Sequence, residues 1–223
     1  MKWLNPFVKY RLWIGLVLLA LAIFTNIQAG FWPSFVLYLF ALICILGHFI
    51  IGPMRLIQGI MEERDMAGAK KVLDSIWFPA LLIKPIRSVY YTVRGNLDMA
   101  NQNYESAEVN LKKSQSLMSG GGIMGDQMKQ AEGGNKLQLG MLALQKNDFK
   151  QGESYIRAAL RAGLPDKENE AAAYLQLCSI MFRKREFRAG KEFFRKAKAL
   201  KPTTPQIADQ IKQMEKSVNQ MPG

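Results

Sequence analysis

Two uninterrupted apolar runs open the chain, and behind them the apolar positions take on the spacing of amphipathic helices. The first run, LWIGLVLLALAIFTNI at 12–27, is uncharged, and the second, FWPSFVLYLFALICILGHFIIG at 31–52, has His48 as its one ionisable group of that kind. A helix rises about 1.5 Å per residue, so roughly 20 apolar residues cross a bilayer core. The second run has that length, and the first reaches it when extended over 10–29. The link QAGFWPS, with Gly30 and Pro33, predicts a tight turn. Trp3, Tyr10, Trp13, Phe31 and Trp32 fall near the expected interfaces, where amphipathic rings are favoured. A cleaved leader fits less well, because NIQAG lacks a small-x-small exit and a second apolar run follows at once. The expectation is a transmembrane hairpin over 1–53, with spans at about 10–29 and 31–53.

Behind the hairpin one phrase recurs. Aligned on Tyr104, Phe149 and Phe187, a small residue follows three places later (Ala107, Gly152, Gly190) and another seven beyond that (Ser114, Ala159, Ala197). Nine places before each aromatic stand Gly95, Gly140 and Cys178, and large residues (Leu111, Ile156, Phe194) lie between the small ones. Small residues at fixed places let two helices approach closely, so each copy reads as helix, turn, helix. ANQN, QKND and RKRE mark the turns, and Pro202 closes the third copy. The copies cover about 88–119, 133–164 and 171–202.

This phrase resembles the tetratricopeptide repeat, a helix pair of about 34 residues with small residues at these places and a late proline. GIMEERDMAGAKKVLDSI at 59–76 looks like a degenerate earlier copy, with Met66, Ala69 and Leu73 in the aromatic, small and large places. Arg94 and Asp98 depart from the family pattern, which prefers Leu and an aromatic there. The resemblance implies an all-α fold: hairpin (1–53), degenerate repeat and membrane-proximal connector (54–84), a short solenoid of repeats (85–204), and a capping helix and tail (205–223). A lone helix pair cannot bury its apolar face, so stacked neighbours and a cap are needed. Ile207, Ile211, Met214 and Val218 form the apolar stripe of that cap.

Between these elements lie two unusual connections. IWFPALLIKPIRSVYY at 76–91 cannot be one regular helix, because Pro79 and Pro85 interrupt it. Its apolar residues Trp77, Phe78, Leu81 and Leu82 are expected to pack under the first repeat, with a rest on the membrane surface as the other reading. SGGGIMGDQMKQAEGG at 119–134 has no Lys-Ser/Thr after its glycines, so it reads as a flexible loop and hinge rather than a phosphate cradle.

Charge sets the orientation. Residues 1–53 hold no acid and only Lys2, Lys9 and Arg11, whereas 54–223 hold all 18 acidic residues. Arg55, Arg64, Lys70 and Lys71 follow the second run and no charge lies between the runs, so the positive-inside rule puts both termini in the cytoplasm. The uncharged loop and compact size point to a bacterial inner membrane. Cys44 and Cys178 lie far apart and suggest no disulfide framework.

No enzyme signature is present. One histidine in the chain excludes most His-based triads and zinc sites. His48 has no acidic or histidine partner in 1–53, which favours a hydrogen bond to the neighbouring helix over proton or metal work. No cofactor is expected. In the repeat family the first helices line a concave groove that holds a peptide or helix. By alignment the groove here is Thr92, Asn96, Met99, Leu137, Met141, Leu144, Gln145, Leu175, Ser179, Phe182 and Arg183, suited to a protein partner with apolar anchors. Only Asn96 and Arg183 echo the family's carboxylate clamp, so a C-terminal carboxylate is not the expected ligand. A basic run at 183–201 includes Lys184, Arg185, Arg188, Lys191, Arg195 and Lys198. It reads as a solvated face, then as a surface for anionic lipid headgroups, with nucleic acid last because no reading motif accompanies it. The expected function is a membrane-anchored protein-interaction scaffold; the alternative is an assembly subunit bound mainly through its hairpin.

Overall fold

The structure, a computed structural model, describes residues 5–51, 66–118 and 126–220. These form ten α-helices and one short 3-10 turn, with no strand among the described residues. The chain divides into two compact units, 1–97 and 98–223.

In the first unit, α1 (Asn5–Ala29) and α2 (Phe31–Ile51) form an antiparallel hairpin. Its turn is tighter than expected: Gly30 alone lies outside the helices, at φ 85°, and Pro33 sits in the first turn of α2. Proline is tolerated there because its missing N–H has no partner to lose. Stretches Tyr10–Ala29 and Phe31–His48 are long and apolar enough to cross a membrane. The helices meet through small residues, since Gly15, Ala22, Ser34, Ala41 and Cys44 are buried while Trp13, Ile27 and Trp32 face outward. Side-chain hydroxyls are satisfied internally: Thr25 donates to the Leu21 carbonyl (3.0 Å) and Ser34 to that of Gly30 (2.9 Å). A polar group in lipid has no water to turn to, so this is the arrangement a span requires.

The same unit continues with α3 (Met66–Asp74), a 3-10 turn (Pro79–Leu81) and α4 (Lys84–Ala100), whose last three residues belong to the second unit. Pro79 opens the 3-10 turn and Pro85 lies in the first turn of α4, where a missing N–H is tolerated. Leu73, Leu82, Tyr90, Val93 and Leu97 form a core here, with Ile76, Ile86 and Tyr91 against it. Arg94, one of the departures from the repeat pattern, pairs with Asp74 at 2.6 Å. The degenerate copy is therefore only partly seen: Ala69 and Leu73 are fully buried, and 59–65 lie outside the described residues. The connector differs from expectation. Leu82 is buried, but Trp77, Phe78 and Leu81 are exposed and do not pack under a repeat.

The second unit holds α5 (Tyr104–Met118), α6 (Asp126–Gln145), α7 (Phe149–Ala162), α8 (Lys167–Arg183), α9 (Phe187–Ala199) and α10 (Pro205–Gln220). Helices α6 and α7 form one hairpin and α8 and α9 a second; α6, α8 and α10 lie in a row, and α5, α7 and α9 pack against it. The Gly-rich stretch is the main correction. Residues 126–134 are helical, so α6 starts well before the expected loop ends, and 119–125 lie outside the described residues.

The recurring phrase has a recurring geometry. Gln102, Asn147 and Arg185 take left-handed φ values of 61°, 62° and 63°. In each turn the next residue's N–H reaches back five places: Asn103 to Asp98 (2.8 Å), Asp148 to Ala143 (2.8 Å), Glu186 to Met181 (2.9 Å). The left-handed residue itself donates three places back, to Met99, Leu144 and Phe182 (3.0 Å each). This is the Schellman closure of a helix C-terminus, made three times. The small positions are forced by proximity. A Cβ on Gly140 would stand 2.6 Å from Ile156 Cγ1, one on Gly152 2.6 Å from Leu144 Cδ2, and one on Gly190 would overlap the Phe182 ring. Leu111, Ile156 and Phe194 are buried, as are Ser114, Ala159 and Ala197. The cap packs as its stripe predicts, with Ile211 and Val218 buried among Leu175, Cys178 and Phe194.

Candidate functional site

The row α6–α8–α10 presents two shallow depressions. One, of about 270 Å³, is lined by Met141, Leu144, Gln145 and Gln176. The other, of about 450 Å³, is lined by Leu175, Gln176, Ser179, Phe182, Gln210, Gln213, Met214 and Ser217. Gln176 lines both. The lining carries no charge, in a chain of net charge +12. Its side chains are firmly seated. Leu144 lies on Gly152 and the Phe182 ring on Gly190, both held by the close helix approach. Ser179 donates to the Leu175 carbonyl at 3.1 Å, which leaves its oxygen able to accept.

Met141, Leu144, Gln145, Leu175, Ser179 and Phe182 are thus brought together as the repeat alignment implied. The other expected members are not. Leu137 is fully buried in the core beneath the row and offers no surface. Met99 packs in the core of Ala107, Leu111, Leu139 and Leu142. Asn96 and Thr92 belong to the first unit, where Thr92 donates to the Ser88 carbonyl at 3.1 Å. The Arg183 guanidinium lies over the Phe149 ring, 4.5 Å from its centroid, and so ties α8 to α7. The alignment missed Gln176, Gln210, Gln213, Met214 and Ser217. On α10 Met214 belongs to the apolar stripe, and Gln210, Gln213 and Ser217 flank it with no signal of their own in the sequence.

Much of the charge joins one helix hairpin to the next. Glu108 accepts from Lys112 and from Lys146, both at 2.6 Å. Glu153, at the same place in the next copy, accepts from Arg157 at 2.8 Å and from Lys184 at 2.5 Å. In both cases one cation sits a turn along the same helix and the other at the end of the following first helix. The Glu108 carboxyl is held below the usual range by hydrogen bonds from Lys112 and Lys146, and the Lys112 ammonium is raised by Glu108. At Glu153, burial alone would raise the pKa, but hydrogen bonds from Lys184 and Arg157 outweigh it and the net shift is downward. Glu168 is lowered chiefly by the Thr203 backbone N–H, 2.7 Å away, which fastens α8 to the entry of α10. A further hollow of about 360 Å³ between α5, α6 and α7 is walled by Glu108, Lys112, Lys146 and Asp148. Its charges are engaged within the protein, since Asp148 also caps α7 through the Gln151 N–H at 2.9 Å.

The basic run is therefore not one free face. Lys184 holds Glu153 and Lys198 pairs with Glu215 of α10. Lys196 lies 5.9 Å from the Tyr174 ring centroid. Arg185, Arg188 and Arg195 are exposed, and Lys191 is half-buried. Burial pushes the Cys178 thiol up to about 11, which favours its protonated form near neutrality. No protein-family model matches the chain, and no curated protein or solved structure matches it.

Proposed function

We propose that this protein is a membrane-anchored interaction scaffold of the tetratricopeptide-repeat type, which holds a partner segment in the depression along α6, α8 and α10 and makes or breaks no bond. One observation carries this reading: two depressions that share Gln176, both lined by uncharged amides, hydroxyls and apolar side chains, in a strongly basic chain. Phe182 and Met214 suit an apolar anchor, above a floor formed by the buried Leu175. Gln145, Gln176, Gln210 and Gln213 each offer a donor and an acceptor to the partner's main chain or polar side chains. The three matching turns and the glycine-mediated approaches support the repeat assignment. The hairpin confines the scaffold to a membrane and raises the effective concentration of partners there. The distribution of Lys and Arg around the apolar runs supports a cytoplasmic location for both termini, at an inner membrane.

The alternative of an assembly subunit bound through its hairpin is less favoured. Of Gly15, Gly47 and Gly52, the small residues that would let a partner helix approach, Gly52 lies outside the described residues and the other two are occupied within the hairpin: a Cβ on Gly15 would stand 2.8 Å from Ile45 Cγ1, and one on Gly47 would overlap the Arg11 guanidinium. The test is purification of the tagged full-length protein in mild detergent beside a Gln176→Arg/Gln213→Arg variant. Loss of a specific partner from the variant supports the scaffold. The same partner on both proteins would move the interaction to the hairpin or the outer helices.

A further inference from the structure

Trp77 is 84% exposed, and Phe78 (56%), Leu81 (54%) and Ile83 (45%) accompany it. The bend at Pro79 produces this. In the 3-10 turn the Leu81 N–H reaches the Phe78 carbonyl (3.1 Å) and the Leu82 N–H that of Pro79 (3.2 Å), which sends Leu82 inward and leaves its neighbours outside. Contiguous exposed apolar side chains of this size mark an interaction surface. Their surroundings indicate which kind. Residues 75–97 contain no Asp or Glu, but do contain Lys84 and Arg87, besides Arg94, which Asp74 holds. Lys70 and Lys71 on α3 are also exposed. An indole with flanking aliphatics and cations is the composition favoured at a bilayer interface, where the ring sits at headgroup level and the cations meet lipid phosphates. Only residues 52–76 separate Trp77 from the end of α2, so a hairpin in the bilayer keeps this patch within reach of the headgroups.

We infer that the segment 77–83 is a second membrane contact, a non-spanning wedge that seats Trp77, Phe78 and Leu81 in the interface of an anionic bilayer. This rests on the membrane reading of α1 and α2. The wedge holds the first unit against the membrane at a second point, beyond the hairpin itself.

Tryptophan depth measurement tests it. Of the four tryptophans, three are replaced by Phe so that only Trp77 remains, and a second protein keeps only Trp13. Both full-length proteins are reconstituted in phosphatidylcholine–phosphatidylglycerol vesicles, with and without bromine near the top of the acyl chains. The expected result is that Trp77 loses most of its emission in brominated vesicles and resists iodide in unbrominated ones. Iodide quenching without bromolipid quenching would overturn the inference. Shielding from iodide without bromolipid quenching would also overturn it, and would mean that protein covers the patch. Trp13 separates the two claims. Bromolipid quenching of Trp13 but not Trp77 keeps the hairpin and removes the wedge, whereas quenching of neither removes both.

Discussion

Two adjacent glycines in α6 should respond in opposite directions to the same substitution. A Cβ on Gly133 would fall on the carbonyl oxygen of Gly163, with the Gly163 carbonyl carbon at 2.9 Å and the Ala159 oxygen at 3.2 Å. A Cβ on Gly134 would meet only Pro165 Cδ and Cγ, at 3.9 Å, which is ordinary contact. Alanine in a helix interior is favoured over glycine by about 0.8–1.0 kcal/mol. Gly134→Ala should gain most of that. Gly133→Ala gains it too, but it forces two backbones apart, and overpacking typically costs about 1–3 kcal/mol or more. Because the obstacle is main chain and cannot rotate away, a net loss of about 1–2 kcal/mol is expected. The two variants should therefore differ by roughly 2–3 kcal/mol, or about 5–10 °C in melting temperature for a chain of this size. Thermal melting of the full-length protein in mild detergent, followed by helical circular dichroism, reads the difference. A Gly133→Ala midpoint at or above wild type would refute the reasoning, since it would mean that α6 and the end of α7 are not in backbone contact.

Three further outcomes follow from the same packing. Arg185 holds a left-handed φ of 63°, so Arg185→Gly should stabilise by roughly 0.5–1 kcal/mol; a lowered melting point would count against the Schellman turn. Ile211 is 8% exposed between α8, α9 and α10, so Ile211→Asp should cost at least about 3 kcal/mol and release α10, read as faster hydrogen exchange over 205–220; unchanged exchange would contradict the cap. Glu108, Glu153 and Glu168 have lowered folded-state pKa values, so their stabilisation is complete above the unfolded value of about 4.3 and is lost as pH falls through their lower folded values. Glu153→Gln should weaken the fold by roughly 1–2 kcal/mol at neutral pH and flatten the acid limb of a stability–pH curve, and a superimposable curve would remove the clamp from the account.

What the sequence made legible was whatever is written in local spacing. The apolar runs gave the two hairpin helices, because crossing length is a count of residues. The small and large positions around Phe149 and Phe187 gave two helix pairs, and those around Tyr104 a matching turn, because side-chain volume at fixed offsets decides how near two helices come. Interactions between distant residues were not legible. The glycines at 133 and 134 read as loop, yet they stay helical because Gly133 is needed where α6 meets Gly163, and that contact outweighs propensity. Lys184 read as part of a solvated basic face and Arg183 as a groove residue, yet each engages the preceding helix pair, at Glu153 and over Phe149. The groove's far wall was missed for the same reason. Gln210, Gln213 and Ser217 are unremarkable surface residues until α10 is laid beside α8. Trp77, Phe78 and Leu81 read as core because they are apolar, and only the bend at Pro79 shows that they point outward.

The central claim is that the row α6–α8–α10 holds a partner, and site-specific photocrosslinking in the native membrane tests it most directly. A benzophenone side chain is placed, one position at a time, at Gln176 and Gln213 in the groove, at Arg195 on the outer face of α9 and at Ile43 on the hairpin. The account predicts one discrete crosslinked product shared by positions 176 and 213 and absent from 195 and 43. A product formed from 43 or 195, with none from either groove position, would contradict it.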